Sequence, residues 1–252
     1  MPAKALLPRL LSSLLLAGCA ATTSGPSITT VTPDGASEQI PVMVSKPDGP
    51  GPFPAVVIMH DCSGLGFGSS GAPGRWTAEL VQRGYVVVLP DSFGSRGYSG
   101  GVCTVPLSQR RINVNFERRA RDAYAALAYA RSLSYVDGRR VGIMGGSHGG
   151  STTLAAMIAP ASDSAPLAEE KRAGFAAAVA LYPSCALKPS RAYKPIAPLL
   201  ILIGEKDDWT PAEPCRKLAE AARTAGHPVS IKIYPGAHHS FDSDRPVRFV
   251  EA

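Results

Sequence analysis

The chain has 252 residues, enough for one large α/β domain or two small ones, and 45% hydrophobic with 18% charged content supports a sizeable core and argues against extended disorder. The net charge is +6 and the pI about 9.2, yet Lys and Arg are scattered, with Arg118-Arg119-Ala120-Arg121 as the cluster. No nucleic-acid motif accompanies that charge, so no nucleic-acid partner is expected.

The N-terminus reads as a targeting segment. Lys4 and Arg9 make a short positive region, and Leu10 to Leu16 is mostly apolar and too short for a permanent membrane span. The segment ends Leu16-Ala17-Gly18-Cys19, which resembles a bacterial lipobox. Residues 1–18 are therefore expected to be a lipoprotein signal peptide and Cys19 the lipidated residue. Residues 19–27, rich in Thr, Ser, Gly and Pro, read as a tether, and 28–252 as one domain. A secretory signal cut near Ala20 or Ala21, or an uncleaved anchor, is the alternative. Lipidation would hold the protein in the cell envelope, facing the periplasm.

Ile28 to Val31 and Gln39 to Ser45 are strand-like and joined through the turn signal Pro33-Asp34-Gly35, which suggests an antiparallel hairpin at a sheet edge. Pro54 to His60 is a continuous apolar run, as expected of a strand buried on both faces. Pro73 to Arg83 reads as a helix stopped by Gly84, and Tyr85 to Leu89 as the next buried strand. A glycine-rich loop carrying Arg96 and Tyr98 follows. Gln109 to Leu133 has a helical pattern with Ala120, Ala123, Tyr124, Leu127 and Ala130 on one stripe, its Arg-rich side read as a solvated face. Val141 to Met144, Phe175 to Tyr182, Pro198 to Ile203 and Val229 to Tyr234 are further strands, with a polar surface segment over Asp163 to Arg172 and a helix over Ala212 to Ala225. Alternating strands and helices, with most strands continuously apolar, imply an α/β fold: a mostly parallel twisted sheet with helices on both faces.

The strand at Val141 runs into Gly145-Gly146-Ser147-His148-Gly149-Gly150 and then a small-residue helix. This matches G-x-S-x-G, the nucleophile elbow, in which a strained serine sits between residues small enough to let strand and helix close together. A phosphate cradle is the competing reading of such a turn, but the Lys-Ser/Thr ending of a P-loop and the G-x-G-x-x-G spacing are both absent. Two more events fall at strand ends: Gly204-Glu205-Lys206-Asp207-Asp208-Trp209 and Ala237-His238-His239-Ser240-Phe241. The order Ser, Asp, His is that of the α/β-hydrolases, and a serine hydroxyl needs such a base and orienting acid to act as a nucleophile.

Cys62, Cys103, Cys185 and Cys215 are an even number in a chain read as exported, so disulfides are expected. Of three pairings, Cys62–Cys103 and Cys185–Cys215 place each pair near the ends of neighbouring strands. No C-x-x-C occurs, and no metal site or cofactor is expected.

From Gln39 to Phe241 the chain resembles the dienelactone hydrolase family of α/β-hydrolases. The resemblance is carried by Met59-His60-Asp61-Cys62-Ser63-Gly64-Leu65, by Gly84-Tyr85 through Asp91-Ser92-Phe93, by the Ser147 elbow, by Gly204-Glu205-Lys206-Asp207 and by His239-Ser240-Phe241. The family nucleophile is often Cys; here it is Ser147, as in esterase-like relatives. The resemblance implies the α/β-hydrolase fold, Ser147 as nucleophile, Asp207 as acid and His239 as base, with Asp208 and His238 as one-residue alternatives. It implies an oxyanion hole from the backbone N–H groups of His148 and Cys62, and a small ester or lactone as substrate. Arg96, Tyr98 and Trp209 lie on loops near the mouth, and in the family arginines near the site recognise substrate carboxylates. Relatives usually continue past the His loop into a final helix. This chain ends at Ala252, with Val247, Phe249 and Val250 as a stub, so that helix is expected to be short or missing and the His239 loop poorly supported. Two other readings share these residues: a non-catalytic envelope lipoprotein that uses the fold to bind, and an acyltransferase with the same triad.

Overall fold

A computed structural model describes residues 25–32, 34–106, 108–109, 113–158, 174–186 and 193–243. Cys19, residues 1–18 expected to be a signal peptide, the segment Asp163 to Arg172 and the expected stub at Val247, Phe249 and Val250 lie outside the described residues. Among the described residues, eight strands form one sheet: β1 Ser27–Val31, β2 Ser37–Ser45, β3 Phe53–Met59, β4 Val86–Pro90, β5 Val136–Gly146, β6 Ala178–Leu181, β7 Leu199–Gly204 and β8 Val229–Tyr234. Their order is β1-β2-β4-β3-β5-β6-β7-β8. β1 pairs antiparallel with β2, and β2 antiparallel with β4, whereas every later pair is parallel. The N-terminal hairpin thus sits at one edge. Its turn is closed by Thr32 Oγ1 donating to the Ala36 carbonyl at 2.9 Å, and β1 opens at Ser27, one residue inside the expected tether.

Among the described residues, four α-helices accompany the sheet: α1 Ala72–Gln82, α2 Phe116–Ser132, α3 His148–Met157 and α4 Ala212–Thr224. Side chains alternate across a strand, so neighbouring residues of β3 and β4 serve opposite faces. Ile58, Val87 and Leu89 pack with Trp76, Leu80 and Val81 of α1. Ala55, Val57, Met59, Val86 and Val88 face the larger core shared with α2 and α3. Both faces are covered, which is why all five residues of β4 are buried and the run reads as continuously apolar.

Two expectations change here. The helix read from Gln109 has its described α2 segment begin at Phe116, because the Asn115 side chain accepts the Arg118 N–H at 2.7 Å and caps it there. The Arg-rich side of that helix is not a solvated face. Arg119 is fully buried, and Arg118 reaches back to Glu38 at 3.1 Å. Apolar periodicity cannot register a buried arginine, so the pattern assigned its side to water.

Both expected disulfides form, Cys62–Cys103 and Cys185–Cys215, with Cα separations of 4.9 and 5.0 Å. The first ties the loop after β3 to the loop after β4; the second ties the segment after β6 to the first turn of α4. Each restricts the unfolded chain, worth roughly 3–4 kcal/mol for loops of this size in the chain-entropy picture. Disulfides of this kind persist in oxidising compartments, which fits an extracellular or periplasmic protein. Among the described residues, no helix is long and apolar enough to cross a membrane.

Candidate active site

In an open α/β sheet, loops at the carboxyl ends of the strands share one crevice. Ser147 follows β5, Asp207 follows β7, His239 follows β8 and Cys62 follows β3. Ser147 has φ 53° and ψ −115°, a left-handed backbone that a residue with a Cβ adopts only under constraint. The constraint is visible. Its N–H donates to the Leu181 carbonyl at 3.0 Å, and its own carbonyl accepts the Ser151 N–H at 2.9 Å as α3 begins. The flanking glycines are required by contact rather than by φ. A methyl on Gly149 would run into the Met59 carbonyl oxygen, and one on Gly145 would lie 2.8 Å from that same oxygen.

The elbow presents Ser147 Oγ 2.9 Å from His239 Nε2. On the other side of the ring, His239 Nδ1 lies 2.8 Å from Asp207 Oδ2. Asp207 is oriented by its own loop, since Oδ1 accepts the N–H groups of Trp209 at 3.1 Å and Thr210 at 2.8 Å. Thr210 Oγ1 lies 3.0 Å from Asp207 Oδ2 and 3.1 Å from the Tyr182 carbonyl. Asp207 is buried whereas its neighbour Asp208 is exposed, so of the two register choices the fold brings Asp207 and His239 to the serine. Trp209, 40% exposed, stacks on the His239 ring at 5.3 Å, and Tyr182 meets that ring edge-on at 4.8 Å.

The other sequence candidates divide. His148 directly follows Ser147 and opens α3. Cys62 sits in a loop held by the Cys103 disulfide, by its carbonyl accepting the Val102 N–H at 2.6 Å, and by Asp61, whose Oδ1 accepts the Ser63 N–H at 2.7 Å. Tyr98 packs with Phe93, Val102 and Val114, its hydroxyl accepting from Asn113 Nδ2 at 3.0 Å. Arg96, expected at the mouth as a carboxylate reader, is instead a buried tie. Its guanidinium donates to Glu38 at 2.7 Å, to Asp122 at 2.7 Å and to the Ser92 carbonyl at 3.0 Å. Burial would lower its pKa, but these two carboxylates outweigh that and raise it above the ordinary arginine value. Its donors are consumed inside the protein, so none is left for a substrate.

Three further residues contribute to the site. Asp242 lies one residue past Phe241, and its carboxylate accepts the Tyr182 hydroxyl at 2.8 Å and the Trp76 indole N–H at 2.7 Å. Its carbonyl accepts from Arg75 at 3.2 Å. Burial first, and then the Asp242 charge, push the Tyr182 hydroxyl well above the usual tyrosine value, so it stays a donor. The described part of the His239 loop is thus pinned to α1 and to the end of β6, contrary to the expectation of poor support. No local motif marks Asp242, because its partners lie far off in sequence. Thr210 could have been found from Asp207-x-x-Thr210 before a helix, a spacing typical of caps. Arg119, the third, was hidden in a cluster that looked like surface.

Comparison with known proteins gives the family and the fold. The model of the dienelactone hydrolase family matches residues 40–252. The chain belongs to the dienelactone hydrolase family. As a member it is a carboxylic-ester hydrolase. A curated relative, "Putative carboxymethylenebutenolidase" of Methylorubrum extorquens, is 27% identical over 208 residues, covering 81% of this chain and 69% of that protein. Among solved structures, a "Putative Dienelactone Hydrolase" from Klebsiella pneumoniae superposes with a TM-score of 0.64 at 23% identity, covering 87% of this chain and 89% of that one. Thermogutta terrifontis esterase 2, in its apo form, gives 0.64 at 20% identity over 88% and 87%. At these identities the two structures speak to the fold, which they share with this dienelactone hydrolase family member.

Proposed function

We propose that this family member hydrolyses a small ester or lactone through an acyl-enzyme on Ser147. The observation that carries the reading is the unbroken relay from Ser147 Oγ through the two nitrogens of His239 to Asp207. Asp207 is acceptor-only when ionised, so it fixes the proton of His239 on Nδ1 and leaves Nε2 with a lone pair facing the serine hydroxyl. His239 takes the hydroxyl proton as Ser147 attacks the carbonyl carbon. The oxyanion is held by the N–H groups of His148 and Cys62, the first at the N-terminus of α3 where the helix dipole adds to it. His239 then gives its proton to the leaving alkoxide. Water, deprotonated by the same nitrogen, attacks the acyl-enzyme and releases the acid.

Trp209 forms an aromatic wall over His239. The reading is of an esterase or lactonase in which Arg96, engaged by Glu38 and Asp122, has no part in recognising a substrate carboxylate. Activity on p-nitrophenyl esters and simple lactones tests it. Ser147→Ala is expected to lower kcat at least about 10⁴-fold while leaving the fold intact; an unchanged rate in that variant would remove Ser147 from the chemistry. With Cys19 lipidated, the enzyme works tethered in the cell envelope. Metabolic palmitate labelling that survives in Cys19→Ser would contradict that placement.

A further inference from the structure

One buried charge takes no part in the relay. Arg119 on α2 is fully buried, and burial pushes its pKa down to about 9, with Asp122 pulling the other way, so it is charged at neutral pH. Its hydrogen bonds go to neutral groups. Nη1 donates to His148 Nδ1 at 2.7 Å, and Nη2 donates to the His60 carbonyl at 2.8 Å. Asp122, the carboxylate on its own helix, is taken by Arg96. The guanidinium carbon lies 4.6 Å from the Phe93 ring centroid, and Nε is buried without a hydrogen-bond partner among the described residues. Among the described residues it has no direct counter-ion, and a buried ion so placed is costly, so a purely packing role would be served better by an apolar residue.

The two acceptors are what matter. A guanidinium has only donors, so His148 Nδ1 must carry a lone pair and the ring must be the neutral Nε2–H tautomer. Phe93 and Phe116 grip that ring edge-on at 5.5 and 4.8 Å. His148 opens α3 directly after Ser147, and His60 directly follows β3 and precedes Asp61-Cys62. One guanidinium therefore ties together the two backbone stretches that flank the serine.

We infer that Arg119 is a positioning residue for the oxyanion hole, bridging His148 and the His60 carbonyl so that the N–H groups of His148 and Cys62 keep their separation. It also places a fixed positive charge behind the developing oxyanion, in a water-poor setting where such charges act strongly. The inference rests on the acyl-enzyme reading of Ser147.

The test uses the full disulfide-bonded protein with Arg119→Met, Arg119→Lys, His148→Phe and the double variant Arg119→Met/His148→Phe. Active sites are counted by the stoichiometry of fluorophosphonate labelling, so misfolded protein drops out of the rate. In Arg119→Met, kcat for p-nitrophenyl butyrate per labelled site is expected to fall on the order of 10- to 100-fold, with KM held within about twofold. Arg119→Lys, able to reach one acceptor but not both, should recover part of the loss. The double variant should be little worse than the poorer single variant, because the residues act together. Wild-type kcat per labelled site in Arg119→Met, with only a lower melting temperature, would overturn the inference. Where Arg119→Met does not fold, wild-type kcat in Arg119→Lys overturns it equally. Nitrogen-15 spectra of histidine-labelled protein read the His148 tautomer without substrate. An inactive, unlabelled wild type with His148 locked as Nε2–H by Arg119 would sink the acyl-enzyme reading and leave the bridge standing. An active, labelled wild type whose His148 tautomer is the same without Arg119 would sink the bridge alone.

Discussion

His60 shows how a single side chain is specified by its surroundings. It is fully buried directly after β3, with Nε2 accepting the Ser92 N–H at 3.2 Å and Nδ1 lying 2.9 Å from the Asp61 carbonyl. One nitrogen must accept and the other donate, so the ring is held neutral with its proton on Nδ1. Burial, and then the positive charge of Arg119, lower its pKa well below the usual 6.5. The sign follows directly. Below pH 6.5 the unfolded chain takes up a proton on this residue that the folded chain refuses, so stability falls as pH drops, while above 6.5 the contribution is complete. Thermal melts from pH 7.5 down to pH 5 should show a falling Tm; a Tm that is flat or rises across that window would contradict a neutral, buried His60. Glu38, whose pKa is lowered by Arg96 and Arg118 against its own burial, adds a similar loss only below about pH 4.5.

At the scale of the element, the His239 loop matters most, because a base held loosely cannot stay 2.9 Å from its serine. β8 delivers the loop, and Asp242 fastens it to Tyr182, Trp76 and Arg75, three residues on two other elements or their ends. Tyr182 is itself packed edge-on against His239, so the clasp and the base share one aromatic neighbour. Asp242→Ala leaves the tyrosine hydroxyl and the indole N–H without their acceptor. It is expected to cost about 1–3 kcal/mol of stability and to lower kcat roughly tenfold, with Asp242→Asn milder on both. Melting curves and kcat per titrated site measure the two effects. A variant that melts earlier but turns over at the wild-type rate would show that the loop is held elsewhere.

For the whole molecule, what was legible is what depends on nearest neighbours in sequence. Continuous apolar runs marked β3, β4 and β7 because both sheet faces are covered, and Pro33-Asp34-Gly35 marked the edge hairpin. The elbow glycines were legible because strand and helix meet within a few residues of them. What stayed hidden depends on partners brought from afar. Arg96 looked like a mouth residue until the fold set Glu38 and Asp122 against it. Arg119 looked solvated because an arginine has no apolar signature, although the fold encloses it between His148, His60 and Phe93. Asp242 belongs to no motif, and only the assembled sheet shows what it holds. The sheet and the Ser-His-Asp relay thus follow from local pattern and chain order, while the residues that steady the relay follow from packing.

The central claim, an activated Ser147 within that relay, is tested most directly by mapping the adduct of a fluorophosphonate on the folded, oxidised protein by mass spectrometry. One adduct per chain, located on Ser147 and absent from Ser147→Ala, is the predicted result. Folded protein that takes up no label, or takes it up at another residue, would contradict the account.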